Sequence, residues 1–246
     1  MGIEMKEVDN QQGTPAGAGP RSIPLEGMRK FIADHLVASL HNAAQLTVSV
    51  EVDATELVKA REAILPKVQD ATGIRPTYTD MLVVLLTRAL QQHPLLNSVT
   101  VEDQIILSDD VNMGVAVNTD TGLIVPVIHQ AQKKSLPEIT RARADLARKA
   151  MEGRLAYSDI DGGSFTISNP GATSTDITTP ILNAPQNAIL AVGRLVEKPA
   201  VFNREICIRN MFWLNLTFDH RAFDGVPAAK FLETLDRMIQ EPMKSL

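Results

Sequence analysis

The sequence predicts a mixed α/β (α+β) fold, a single mixed β-sheet with covering helices. Three observations point there. Helical and extended patterns are interspersed without strict β-α-β alternation. At least one hairpin is present, two apolar runs around Asn118-Thr119-Asp120-Thr121-Gly122, with Gly122 available for positive φ. Apolar residues make up 44% of the 246, enough for one large core or two small ones.

The elements follow in order. Residues 10–20, "NQQGTPAGAGP", carry no apolar side chain larger than Ala apart from proline, so residues 1–21 read as a flexible tether and 22–246 as one folded domain. "GMRKFIADHLVASLHNAA" sets Met28, Phe31, Ile32, Leu36 and Leu40 on one helical stripe. "LTVSVEVDAT" alternates as a strand, with Leu46, Val48, Val50 and Val52 on one face. "TELVKAREAILPKVQ" is helical, and Pro66 is expected to end or kink it. "YTDMLVVLLTRALQQHP" is a mostly buried helix stopped by Pro94, and "QIILS" a short strand. After the hairpin, "SLPEITRARADLARKAMEG" is an amphipathic helix capped by Ser135, with Pro137 in its first turn and Gly153 past its end. "GGSFTIS", "NAILAVGRLV" and "EICIRNMFWLNLTF" are strands, and "VPAAKFLETLDRMIQ" is the last helix.

Composition narrows the function. The net charge is −5, no basic run exceeds Lys133-Lys134, and there are two Tyr and one Trp, so nucleic acid is not an expected partner. A single cysteine, Cys207, excludes an internal disulfide and a cysteine-based metal site, and fits a reducing compartment. The five histidines (35, 41, 93, 129, 220) are dispersed, so no metal-ligand spacing exists. No apolar run is long enough to span a membrane. The start, "MGIEMKEVDN", is acidic and lacks an apolar core. A cytoplasmic protein is therefore expected, or one of the mitochondrial matrix if the chain is a processed eukaryotic one.

His220 lies where a β-branched run stops, and Asp224-Gly225 precede a helix. Structural readings exist for each residue: His220 could fill a polar gap, Asp224 could be a plain N-cap, and Arg221 a surface charge. Upstream, a strand ends in Ser168-Asn169-Pro170-Gly171, where Ser and Asn could simply bond their own turn. Neither a nucleophile elbow nor a phosphate-binding loop, an H-E-x-x-H or a dinucleotide fingerprint is present.

"FTISNPG", then "TTPILNAPQNAILAVG", then "LTFDHRAFDG" resemble the catalytic domain of the 2-oxoacid dehydrogenase acyltransferases, the dihydrolipoamide acyltransferase (E2) components, in the chloramphenicol-acetyltransferase-like superfamily. "RKFIADHLVASLHNAAQLTVSVEVDAT" is similar to that family's first helix and strand. "VNMGVAVNTDTGLIVPVIHQAQKKSLPEI" resembles its central hairpin and the following helix. The resemblance covers roughly Pro24 to Pro242, in family order. The tether resembles the linkers that join lipoyl domains to such cores, and the D-K-A lysine motif of a lipoyl domain is absent.

The resemblance implies acyl transfer, most simply of acetyl, between dihydrolipoamide and coenzyme A. A thiol of pKa near 8.5 is mostly protonated at neutral pH and needs a base of near-neutral pKa. His220 matches the family's base. Ser168 matches the hydroxyl that hydrogen-bonds the tetrahedral oxyanion, and the 52 residues between them match the family's interval. Asp224 matches the residue that orients the active-site loop. Arg29 matches its partner in the related chloramphenicol acetyltransferases. The resemblance further implies a homotrimer sharing its site between subunits, a larger cubic or icosahedral core, a lipoyl group on a separate domain or chain, E1 and E3 components as partners, and no metal. The tail "QEPMKSL" is less apolar than the family's core-forming tails, which bears against the larger core.

Three other readings stand beside this one. A non-catalytic core that only assembles partner enzymes would have been signalled by loss of His220 or Ser168, and both are present. A chloramphenicol-acetyltransferase-like enzyme with another acceptor shares the base and the Asp, but lacks the "DTGLIVPVI" and "NAPQNAILAVG" segments. A peptide-synthetase condensation domain would carry histidine where Asp219 stands.

Overall fold

The computed structural model describes residues 22–120 and 122–246, so the expected tether, residues 1–21, lies outside the described residues. The elements are α1 (Gly27–Asn42), β1 (Gln45–Asp53), α2 (Thr55–Thr72), α3 (Tyr78–Gln92), β2 (Ser98–Val101), β3 (Gln104–Leu107), β4 (Met113–Val115), β5 (Val117–Thr119), β6 (Gly122–Ile124), β7 (Val127–Ile128), α4 (Leu136–Met151), β8 (Phe165–Ser168), β9 (Ala188–Val192), β10 (Val196–Phe202), β11 (Glu205–Asp219) and α5 (Gly225–Gln240). A seven-stranded mixed sheet runs β1-β11-β9-β8-β4-β7, with β10 also paired to β11. The β4–β8 and β8–β9 pairs are parallel and the others antiparallel. This is the mixed sheet with covering helices that the sequence predicts.

The two faces of this sheet differ because side chains alternate along each strand. Val52, Leu214, Leu216, Phe218, Leu190, Val192, Phe165, Ile167, Met113 and Val115 face the helices and join one core. Helix α3 lies at the centre of that core, with Met81 to Leu86 all buried, and packs against α2, α4 and α5. A capping box sets its start: the Thr77 hydroxyl accepts from the Asp80 N–H, while the Asp80 carboxylate accepts from the Thr77 N–H at 2.7 Å. Asp80 is fully buried, and the Arg143 guanidinium on α4 pairs with it.

The opposite face is polar yet buried. Thr47 and Thr217 share a hydrogen bond of 2.6 Å, and Ser49 donates to Asn215 at 2.8 Å. Thr166 donates to Gln186 at 2.6 Å. The segment after β8 covers this face. It can approach closely because Gly193 lacks a side chain: a Cβ there would meet the Asp176 carbonyl at 2.1 Å.

Four features depart from the sequence reading. Helix α2 continues through Pro66 to Thr72 and stops at Gly73, φ 71°, whose N–H donates to the Gln69 carbonyl at 2.8 Å. Leu57 and Ala60 before the proline and Val68 after it are buried, so packing holds both halves in line against the local preference. Strand β10 is not among the expected elements; it holds Pro199, and it is an edge strand among the described residues, where a missing N–H is tolerated. The short strand β2 also went unread, and it pairs with β3 as a separate hairpin. Finally, the α1 stripe does not face the core: Met28, Phe31 and Leu40 are exposed, Phe31 by 68%. Ser135 at the N-cap of α4, Gly153 past its end and the positive φ of Gly122 are as expected.

Beyond Met211 and Val196, β10 and β11 leave the sheet as a two-stranded ribbon. Arg209 anchors its base, lying 4.1 Å from the Phe202 ring centroid and donating to Asp53 at 2.6 Å. Val201, Ile206 and Ile208 on the ribbon are 73–82% exposed. Among the described residues, no helix is long and apolar enough to cross a membrane.

Candidate active site

His220 follows the last residue of β11, held at the end of the sheet. Its N–H donates to the Ala44 carbonyl at 2.9 Å, just before β1. Its ring tilts against Phe218, centroids 5.7 Å apart, and Phe218 in turn stacks on Phe223 at 5.0 Å. Nδ1 lies 3.5 Å from Asp224 Oδ1. Among the described residues Nε2 has no protein partner, and the side chain is 42% exposed. The imidazole is thus held from behind and free in front.

Asp224 occupies the N-cap position of α5 with extended backbone, φ −83° and ψ 176°, but its side chain makes no capping bond. The carboxylate faces the histidine and solvent instead. The plain N-cap reading accounts for its place in the chain and leaves its side chain unexplained. Arg29 lies elsewhere: its guanidinium sits against Gly122 on the β5–β6 hairpin, and among the described residues no ion pair within a protomer joins it to Asp224.

Ser168 ends β8 and is half-buried. The turn after it is tied to its surroundings. The Asn169 side chain accepts from the Gly171 N–H at 3.1 Å and donates to Thr79 at 3.0 Å, which ties the turn to the start of α3. Gly171 abuts Gly193, whose carbonyl would lie 2.4 Å from any added Cβ.

The sheet register sets the distance between the two groups. Ser168 pairs with Ala191, which pairs with Asn215, and His220 lies five residues further along β11. Five residues at about 3.3 Å and two strand steps of about 4.8 Å put them roughly 19 Å apart within a protomer. They also belong to opposite faces: Ser168 alternates with Ile167 of the core, whereas the His220 ring lies against core-facing Phe218. The structure does not bring the two together inside one chain.

Arg221, read from sequence as a surface charge, is tied down. Its guanidinium donates to both oxygens of the buried Asp219, Nε to Oδ1 at 3.1 Å and to Oδ2 at 3.0 Å, and Nη2 to Oδ2 at 2.6 Å. Burial opposes ionisation of Asp219, but the Arg221 side chain, the Arg221 N–H and the Ala44 N–H outweigh it and keep the carboxyl below its ordinary pKa. The alternation of β11 was the available signal: it points Asp219 away from the helices into the polar layer, where a charge needs a partner. The remaining histidines have structural contacts where contacts are made: His35 with Asn183, His93 with Thr234 and His129 with the Ser158 carbonyl.

This arrangement, a strand-end imidazole at one end of a mixed sheet and a strand-end hydroxyl at the other, defines a class. The profile of the family described as "2-oxoacid dehydrogenases acyltransferase (catalytic domain)" matches residues 17–246, and the chain belongs to that family. It is 40% identical over 90% of its length to the dihydrolipoyllysine-residue acetyltransferase component of the acetoin cleaving system of Bacillus subtilis, and 36% identical over 92% to the dihydrolipoyllysine-residue succinyltransferase component of an Arabidopsis thaliana mitochondrial 2-oxoglutarate dehydrogenase complex. The chain spans 56% and 49% of those relatives, about half their length. A crystal structure of Azotobacter vinelandii dihydrolipoamide acetyltransferase, reported with the roles of a serine, a histidine and an asparagine in its catalytic mechanism, superposes with a TM-score of 0.86 at 31% identity, covering 90% of this chain and 91% of that one. A chloramphenicol acetyltransferase shares the fold, with a TM-score of 0.53 at 15% identity, covering 84% of this chain and 94% of that one.

Proposed function

We propose that residues 22–246 form an acyltransferase domain that moves an acyl group between dihydrolipoamide and coenzyme A, at a site shared by neighbouring copies in a homotrimer. One observation carries the reading: His220 is presented with a free Nε2, while Ser168 lies roughly 19 Å away on the register of the sheet. A base and an oxyanion donor acting on one carbonyl must each come within about 3 Å of the reacting atoms. A second copy supplies the missing half. The exposed stripe of α1 and the apolar ribbon give surfaces for such contact. The serine, histidine and asparagine of the Azotobacter enzyme are spaced as Ser168, His220 and Asp224 are here, with Asp in place of Asn.

In the proposed reaction His220 Nε2 takes the proton of the attacking thiol as its sulfur bonds to the thioester carbonyl carbon. The oxygen that becomes negative accepts the Ser168 hydroxyl hydrogen bond from the neighbouring copy. When the carbonyl re-forms, the carbon–sulfur bond to the leaving thiolate breaks, and that sulfur takes the proton back from the imidazolium. Asp224, 3.5 Å from Nδ1, orients the ring and its loop. A pairing of Arg29 with Asp224 would have to cross a subunit boundary.

Acetyl is the proposed acyl group, a lipoyl group on a separate domain or chain the other substrate, E1 and E3 components the partners, and the cytoplasm or mitochondrial matrix the setting. Residues 1–21 are the proposed tether. The test is transfer from acetyl-, isobutyryl- and succinyl-CoA to dihydrolipoamide by the wild type and His220→Ala. Acetyl transfer abolished by His220→Ala supports the reading. Equal background rates from both proteins leave only an assembly scaffold, and a succinyl preference overturns the choice of acetyl.

A further inference from the structure

The Asp219 carboxylate is 3% exposed and is used at every oxygen: by the Ala44 N–H at 3.2 Å, the Arg221 N–H at 3.0 Å, and the Arg221 guanidinium at 2.6–3.1 Å. The carbonyl of the same Ala44 accepts the His220 N–H at 2.9 Å. Both backbone polar groups of Ala44 are therefore spent on consecutive residues, Asp219 and His220. The chain closes a ring through the carboxylate, Ala44 and the histidine backbone, just where β11 has run out of ladder. Phe218 and Asp224 can aim the imidazole only if the backbone between them is fixed.

We propose that Asp219 and Arg221 are positioning residues for His220: the buried carboxylate, neutralised by the forked guanidinium, locks the start of β1 to the histidine backbone and so sets the direction of the imidazole. The inference rests on the acyltransferase reading for its catalytic consequence, though not for the geometry. Arg221 admits one competing role. Its half-exposed guanidinium borders a cavity of about 160 Å³ shared with Asn42, Thr100 and Asn187, where it could hold an anionic part of a substrate.

The experiment measures kcat and KM for acetyl-CoA and dihydrolipoamide in Asp219→Asn, Arg221→Gln, their double variant and Arg221→Lys, with His220→Ala alongside. Amide hydrogen exchange at His220 and sedimentation are measured on the same samples. A misplaced base costs about tenfold to a hundredfold in kcat. Each single variant should lose that much with both KM values within about twofold of wild type, and the double variant should be no worse than the poorer single, because the pair acts as a unit. Arg221→Lys, which keeps the charge and loses the fork, should fall between and serves if Asp219→Asn does not fold. The His220 amide should exchange faster in every variant. Unchanged kcat, unchanged exchange, a raised KM with kcat intact, or losses that only follow loss of assembly overturn the proposal. If His220→Ala retains wild-type activity, the acyltransferase reading fails instead, and the exchange measurement still decides whether the pair holds the histidine.

Discussion

If each site takes its imidazole from one copy and its hydroxyl from the next, two crippled variants should repair each other. His220→Ala alone removes the base from every site, and Ser168→Ala alone removes the oxyanion donor from every site. Mixed in equal amounts and allowed to reassort, half of the protomers carry the histidine and half of their neighbours carry the serine. About one quarter of the sites in a closed ring are then complete. A site built within one chain would recover nothing, because no chain carries both groups. The sheet register makes the difference sharp: roughly 19 Å separates the groups in one protomer, well over twice the span that one reacting carbonyl can bridge. The assay is acetyl transfer from acetyl-CoA to dihydrolipoamide by the two variants, separately and co-refolded, with native mass spectrometry to count mixed assemblies. Recovery near a quarter of the wild-type rate fits the shared site. Mixed assemblies with no more activity than the separate variants would refute it.

Three further outcomes follow from named contacts. Ser168→Ala should lower kcat by the roughly 2.7–4 kcal/mol typical of a lost oxyanion donor while leaving KM nearly unchanged, and a loss below tenfold would remove Ser168 from the mechanism. Arg143→Ala strands the fully buried Asp80 carboxylate and should destabilise the fold by about 3 kcal/mol, near the low end for a broken buried pair because the Thr77 bonds to Asp80 remain. Guanidinium unfolding at fixed protein concentration checks this, and a change under about 1 kcal/mol contradicts it. His93 packs between α3 and α5 against Phe231 and bonds Thr234 at 2.9 Å. Burial first, then the charges of Arg237 and Lys230, hold its pKa below the usual 6.5. The unfolded chain therefore takes up this proton at higher pH than the folded one. The contribution of neutral His93 is fully present above pH 6.5 and is lost as the pH falls from there through the folded value. In urea titrations across that window, His93→Gln should flatten the decline, and an unchanged slope would exclude His93 as its source.

The sequence determined the elements by short-range means. A period of two in "LTVSVEVD", a helix cap at Ser135, and a strand ending in Asp219-His220 are local patterns, and each folds as written. Where a local rule met a long-range force, it lost: α2 passes through Pro66 because both its halves are packed, and β10 accepts Pro199 because no described strand pairs beyond it. The tertiary structure alone decided where the two candidate groups stand. An interval of 52 positions from Ser168 to His220 carries no distance; the order β11-β9-β8 and its register do, and they put the two groups at opposite ends of the sheet. Arg221 changed meaning for the same reason. In the sequence it is one more charge on a loop, and only the burial of its neighbour's carboxylate, which cannot stay ionised without a partner, makes it part of the frame that holds the histidine.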